Sequence, residues 1–278
     1  MQASESMLSN DTSSQTGNLL RSSSWEINRR VIGALLIREL LTRYGRNNIG
    51  FLWLFVEPAA FILIITVLWT KVRGVQISDI PIIEFALTGY ASLLLWRNAP
   101  NRCVGAVKSN ASLLFHRQVT VMDIFASRIL LELISITGVA FMLTTALWAL
   151  DLIKLPEDVL QVLGGWFLLA WFAAGLAMTV GGLSEKAEVV GRLWSPMSYI
   201  LMAMSGVAFT VDALPPAAHD VILWVPMINA VEFIREGWFG SVMRAHYDIG
   251  YLVIVNTILS VIGFSLVRQI GSQTASEE

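Results

Sequence analysis

Glu57 is the only charge in the apolar run 47–70. A carboxylate inside a membrane span costs about 2.5–3.5 kcal/mol on insertion scales, so it needs a partner or water. Arg97 and Arg102 are the cations at matching depth, and a salt bridge orienting two spans and a contact with substrate are both open to Glu57. A second charged group, Glu232, Arg235 and Glu236, falls at i, i+3 and i+4 and is followed by Trp238 and Phe239. On an exposed helix that spacing is a surface pair worth a few tenths of a kcal/mol. The three histidines, His116, His219 and His246, are far apart, and no His-Glu-x-x-His or Gly-x-Ser-x-Gly run is present. No Gly-x-x-x-x-Gly-Lys-Ser/Thr run offers amides to phosphate, so if ATP drives this protein the motor is another polypeptide. The single Cys103 excludes an intramolecular disulfide and a Cys-based zinc site.

The elements that position these groups are set by lipid. Of 278 residues, 55% are hydrophobic and 14% charged, with mean hydropathy +0.63, against about 25% charged in soluble domains. Nothing in that composition points to nucleic acid. Residues 1–24 are polar and serine-rich, which reads as a cytoplasmic tail. Residues 25–46 follow a helical period with basic residues among apolar ones, as in a helix lying at headgroup level. Gly45 and Gly50 mark the turn from that helix into the bilayer, and Pro58 is tolerated near the start of the span.

A span needs about 20 mostly apolar residues. Runs 47–70, 133–150, 159–184, 193–211 and 249–267 come close to or meet this, whereas 85–96 is only twelve residues between Glu84 and Arg97. Extended to 80–101, it becomes a sixth span with those charges near opposite interfaces. With the N-terminus cytoplasmic, fourteen of the nineteen Lys and Arg fall inside, leaving Lys71, Arg73, Lys154, Arg235 and Arg244 outside. That bias predicts both termini in the cytoplasm. Trp25, Trp69, Trp148 and Trp224 read as interfacial anchors. Ala173, Ala177 and Gly181 recur every four residues, a face for close helix packing within the chain or between protomers.

Two loops stand out. Residues 105–127 form the longest internal cytoplasmic loop, where Leu113, Leu114 and Phe115 put an apolar cluster beside His116, Arg117 and Asp123. Such a segment docks into a partner's groove or lies on the lipid surface. In 212–247, Pro215-Pro216 makes a rigid turn and the apolar piece 221–231 is short and interrupted by Pro226, which suggests a segment dipping into the membrane from outside.

Arg38-Glu39-Leu40, Arg43-Tyr44-Gly45, Gly50-Phe51-Leu52-Trp53 and Glu57-Pro58, in that order, resemble the N-terminal signature of the membrane subunits of ABC-type polysaccharide exporters. Within that type-2 exporter family the chain is most similar to the capsule-polysaccharide permeases. Ser205-Gly206, Pro215, Asn229, Glu232 and Arg235 resemble the family's pattern before its last span, although Ala230 stands where proline is common.

The resemblance covers most of residues 38–270 and implies an all-α integral membrane fold. Six transmembrane helices, an N-terminal amphipathic interface helix and re-entrant periplasmic helices between spans five and six make up a permease domain over 47–270, with a short cytoplasmic tail at 271–278. It implies a coupling helix at 105–127 and a gate at 212–247 in which Pro226, Asn229, Glu232, Arg235, Trp238 and Phe239 take part. It also implies a homodimer with two ATP-binding cassette subunits, which bind ATP and Mg while this chain binds no cofactor. The activity implied is export of lipid-linked, acidic capsular polysaccharide across the bacterial inner membrane, alongside a periplasmic co-polymerase and an outer-membrane channel. An O-antigen or teichoic-acid exporter of the same architecture is the near alternative. An integral-membrane acyltransferase is the distant one.

Overall fold

In lipid a backbone must satisfy its own hydrogen bonds, so the apolar runs become helices. The computed structural model describes residues 24–44, 48–73, 76–77, 80–114 and 119–276. Most of the N-terminal tail, Gly45, the end of the C-terminal tail, and the coupling-loop residues Phe115, His116 and Arg117 lie outside the described residues. Helices α1 (Ser24–Tyr44), α2 (Asn48–Arg73) and α3 (Ile82–Cys103) come first, with a two-residue hairpin, β1 (Gln76–Ile77) and β2 (Ile80–Pro81), between the last two. A single turn α4 (Ala111–Leu114) leads to the long helices α5 (Val121–Ala149) and α6 (Val159–Lys186), then α7 (Glu188–Met204). The short α8 (Pro216–Ile222) and α9 (Pro226–Phe239) precede α10 (Ile249–Ser276).

Among the described residues, α5, α6 and α10 are long and apolar enough to cross a membrane, and the α8–α9 pair, bent by 112°, passes the same test as one unit. The twelve-residue run at 85–96 lies within the 22 residues of α3, which is not among the helices that pass that test. Arg43 lies in the last turn of α1. Gly50 lies within the first turn of α2 rather than in the preceding turn, a place where helical amides have no acceptor to lose.

α6 is the axis of the molecule, packed on α10, α3 and α9. Its small-residue stripe faces helices of the same chain. A Cβ on Gly181 would meet Phe125 Cε1 at 2.5 Å and Cys103 Cβ at 2.8 Å, and one on Gly182 would meet Leu266 Cβ at 2.9 Å. Ala173 and Ala177 are fully buried there. Close backbone approach, as expected where lipid supplies no hydrophobic drive, thus holds the bundle together internally.

Candidate functional site

Three places collect polar groups: one end of the bundle around α9, a cavity between α2, α3 and α5, and the opposite end around the α3–α5 loop.

Pro226 opens α9 at its first position, where a missing N–H costs nothing. The bend from α8 is held by Asn229, whose Nδ2 donates to Leu223 O at 2.9 Å and Val225 O at 3.3 Å while its Oδ1 accepts from Asp248 N at 2.8 Å. These bonds fix the corner although Ala230 stands where proline was expected. One turn on, Glu232 and Arg235 are both fully buried, which excludes the surface-pair reading. No ion pair joins them among the described residues.

Each instead grips backbone. Arg235 Nη1 donates to Gly206 O at 2.6 Å and Phe209 O at 2.9 Å, Nη2 donates to Val207 O at 3.1 Å and Phe85 O at 3.4 Å, and the guanidinium lies 3.8 Å from the centroid of the Phe85 ring. A rigid five-donor fork suits this converging set of carbonyls. Gly89 makes the room, since a Cβ there would meet Arg235 Nη2 at 2.6 Å and Val207 O at 2.9 Å. Glu232 accepts from Val211 N and His246 N, both at 3.2 Å, tying the 205–212 segment to the strap before α10. Trp238 and Phe239 are buried at the end of α9, where Gly237 O and Trp238 O accept from Asp158 N at 2.8 Å and Glu157 N at 3.3 Å in the α5–α6 loop. The same strap brings His219 and His246 to a ring separation of 5.0 Å, with His246 Nε2 3.3 Å from Asp212 Oδ1. Their distance in sequence concealed that cluster. Nearby, Tyr247 donates to Glu236 Oε2 at 2.6 Å, and burial together with that carboxylate pushes its phenol up to about 12.

The cavity, of about 310 Å³, is lined by Glu57, Pro58 and Phe61 of α2, by Leu94, Arg97, Asn98, Asn101 and Arg102 of α3, and by Glu132, Ser135 and Ile136 of α5. Glu57 and Arg97 share it without an ion pair between them among the described residues. Arg97 reaches instead to α7, with Nε 3.4 Å from Ser198 Oγ and its guanidinium 4.2 Å from the Tyr199 ring centroid. Arg102 pairs with Glu132 at 3.3 Å. Glu132, buried, stands immediately before the charge-free run 133–150, where a charge reads as the edge of a span rather than as part of a site. Glu57 is exposed, as is Trp53 one turn before it.

At the opposite end, a 3-10 turn at Lys108–Asn110 and α4 are clasped from both sides. Arg38 of α1 donates to Asn110 Oδ1 at 2.7 Å. Arg128 of α5 lies 3.4 Å from Glu39 and donates to Arg102 O at 2.7 Å and Ser109 Oγ at 2.9 Å. From the α6–α7 junction, Glu185 Oε1 accepts from Val107 N at 2.8 Å, and Lys108 pairs with Glu188 at 2.6 Å. Asp123 is spent locally: its carboxylate accepts from Thr120 N at 2.9 Å in a capping box that starts α5. Leu113 and Leu114 are half-buried, and Leu114 packs against the inner apolar cluster.

The chain thus combines apolar helices long enough to cross a membrane with a clasped loop at one end and a backbone-gripping helix at the other. The chain is a member of the ABC-2 type transporter family, whose profile matches residues 30–239. It is 41% identical to the capsule polysaccharide export inner-membrane protein CtrC of Neisseria meningitidis serogroup B over 254 residues, 90% of this chain and 96% of the relative. It is 40% identical to the capsule polysaccharide export inner-membrane protein BexB of Haemophilus influenzae over 245 residues, 88% of this chain and 92% of the relative. The polysialic acid transport protein KpsM of Escherichia coli is 28% identical over 250 residues, 88% of this chain and 95% of that protein.

Proposed function

We propose that this chain is the permease subunit of an exporter that moves lipid-linked, acidic capsular polysaccharide across the bacterial inner membrane. The observation that carries this reading is identity of about 40% across nearly the whole chain to proteins named for capsule polysaccharide export at the inner membrane. In this reading α2, α3, α5, α6, α7 and α10 are the six spans and both termini are cytoplasmic. The basic bias toward one side supports that orientation, and the 22 residues of α3, about 33 Å of helix, support counting it as a span. The bent α8–α9 pair is the re-entrant element on the outer face, and the grip of Arg235 and Glu232 on the 205–212 and 243–248 segments supports a gate wall there.

The clasped loop at 105–114 and its continuation through Phe115, His116 and Arg117 form the coupling surface for two ATP-binding subunits, which carry ATP and Mg. Two copies of this chain form the conduit, working with a periplasmic co-polymerase and an outer-membrane channel. The test is complementation of a capsulated strain lacking its own permease by this chain together with its ATP-binding subunit. Surface polysaccharide is the expected outcome. Polymer that stays in the cytoplasm despite assembly of the complex would overturn the reading.

A further inference from the structure

At the C-terminal end of α5, a second cavity of about 500 Å³ opens between the start of α3 and the α5–α6 loop. Glu84 of α3 lines it, and this carboxylate is only 4% exposed. Its Oε1 accepts from Lys154 N at 3.0 Å, while its Oε2 has no hydrogen-bond partner among the described residues. A buried carboxylate oxygen without a donor is costly unless something supplies one. Asp151 and Lys154, both exposed, stand on the rim, beside Trp148, Leu152 and Leu155.

The charges say what fits. Two carboxylates share the cavity with the C-terminal end of α5, whose last carbonyls carry partial negative charge, so a cation is favoured. Lys154 on the rim is suited to an anion held a few ångströms away. The exposed faces of Trp148, Leu152 and Leu155 give an aromatic ring and apolar side chains at the level where α5, a candidate span, ends. A group with an ammonium tip, an adjacent phosphate and attached hydrocarbon meets all three features.

We propose that this cavity binds the phosphoethanolamine headgroup of a membrane phospholipid, its ammonium facing Asp151 and the buried negative charge of Glu84, its phosphate meeting Lys154, and its acyl chains running down past Trp148 and Leu155. The site is separate from the polar cavity around Glu57 and from the α9 anchor, and it stands whether or not the exported cargo is capsular polysaccharide.

The experiment is native mass spectrometry of the full-length chain released from nanodiscs made of equal parts phosphatidylethanolamine and phosphatidylglycerol. The wild-type protein retains the ethanolamine lipid in preference to the glycerol lipid. Glu84→Gln, which keeps the acceptor for Lys154 N and removes the charge, lowers that retention about tenfold, the loss expected when one of two facing negative charges is removed. Asp151 has φ of 55°, a backbone that asparagine also tolerates, so Asp151→Asn gives the same readout should Glu84→Gln fail to fold. Soluble phosphoethanolamine added in excess separates headgroup recognition from acyl-chain adhesion, because only the former is competed away. Equal retention of the two lipids, retention unchanged in the carboxylate variants, or no competition by the soluble headgroup would overturn the proposal.

Discussion

The two ends of the molecule are built by opposite means. Around α9, two fully buried charges grip backbone: Arg235 has four carbonyl contacts and Glu232 accepts from two amides. Around the α3–α5 loop, side chains meet side chains at partly or fully exposed positions, as in Lys108 with Glu188 and Arg128 with Glu39. Removing one partner of a buried charged group leaves its contacts stranded, whereas exposed pairs are screened and contribute little. One end is therefore stiff and intolerant of change, and the other can shift its contacts at small cost, which suits the docking of an ATP-binding subunit proposed for it.

The contrast can be broken at four points. Arg235→Met strands the Gly206, Val207 and Phe209 carbonyls and should destabilise the fold by about 3–5 kcal/mol, read as a lowered unfolding midpoint in detergent; Arg235→Lys should rescue little, since an ammonium cannot span the same carbonyls. Gly89→Ala should cost about 1–3 kcal/mol by pressing on the Arg235 guanidinium and Val207 O, measured the same way. Glu232→Gln leaves one acceptor oxygen for two amides, so about 1–3 kcal/mol should be lost, with hydrogen exchange rising first at Val211 or His246. Lys108→Ala should leave the unfolding midpoint where it is, and any effect should fall on ATP hydrolysis by the companion subunit.

Acidification sharpens the same difference. The Lys108 ammonium beside Glu188 holds that carboxyl below its ordinary value of 4.5. The pair's contribution is therefore complete above 4.5 and is lost only as pH falls through the depressed value, so the Lys108–Glu188 contact should be insensitive to pH across the neutral range. Loss of that contact between neutral pH and mild acid, read from the Lys108 and Glu188 side chains, would contradict the assignment.

Hydropathy made some elements legible and hid others for a physical reason. Only 17% and 28% of the most apolar windows of α10 and α6 are buried within the chain, and those windows are nearly charge-free and easily recognised. α3 is enclosed by neighbouring helices and carries Thr88 and Ser92 along with Glu84 and Arg97, and the two charges cut its charge-free run to twelve residues. The spacing of Glu232 and Arg235 was visible, but their burial was not, because their acceptors and donors lie on other segments. The same holds for Arg38 with Asn110, Arg128 with Glu39, and the His219–His246 pair: the partners are remote in sequence and no local pattern links them. Asp123, expected at a coupling surface, caps α5, a role that the Thr120 to Asp123 spacing itself encodes.

The most direct test of a conduit powered from its inner face is co-purification of this chain with its ATP-binding subunit, with ATP hydrolysis and polysaccharide delivery measured on the same preparation. With Phe115 and Arg117 replaced by alanine, the companion should be lost, or should hydrolyse ATP without delivering polymer, while the chain itself stays folded. Full coupling in that variant, or delivery by this chain with no companion present, would contradict it.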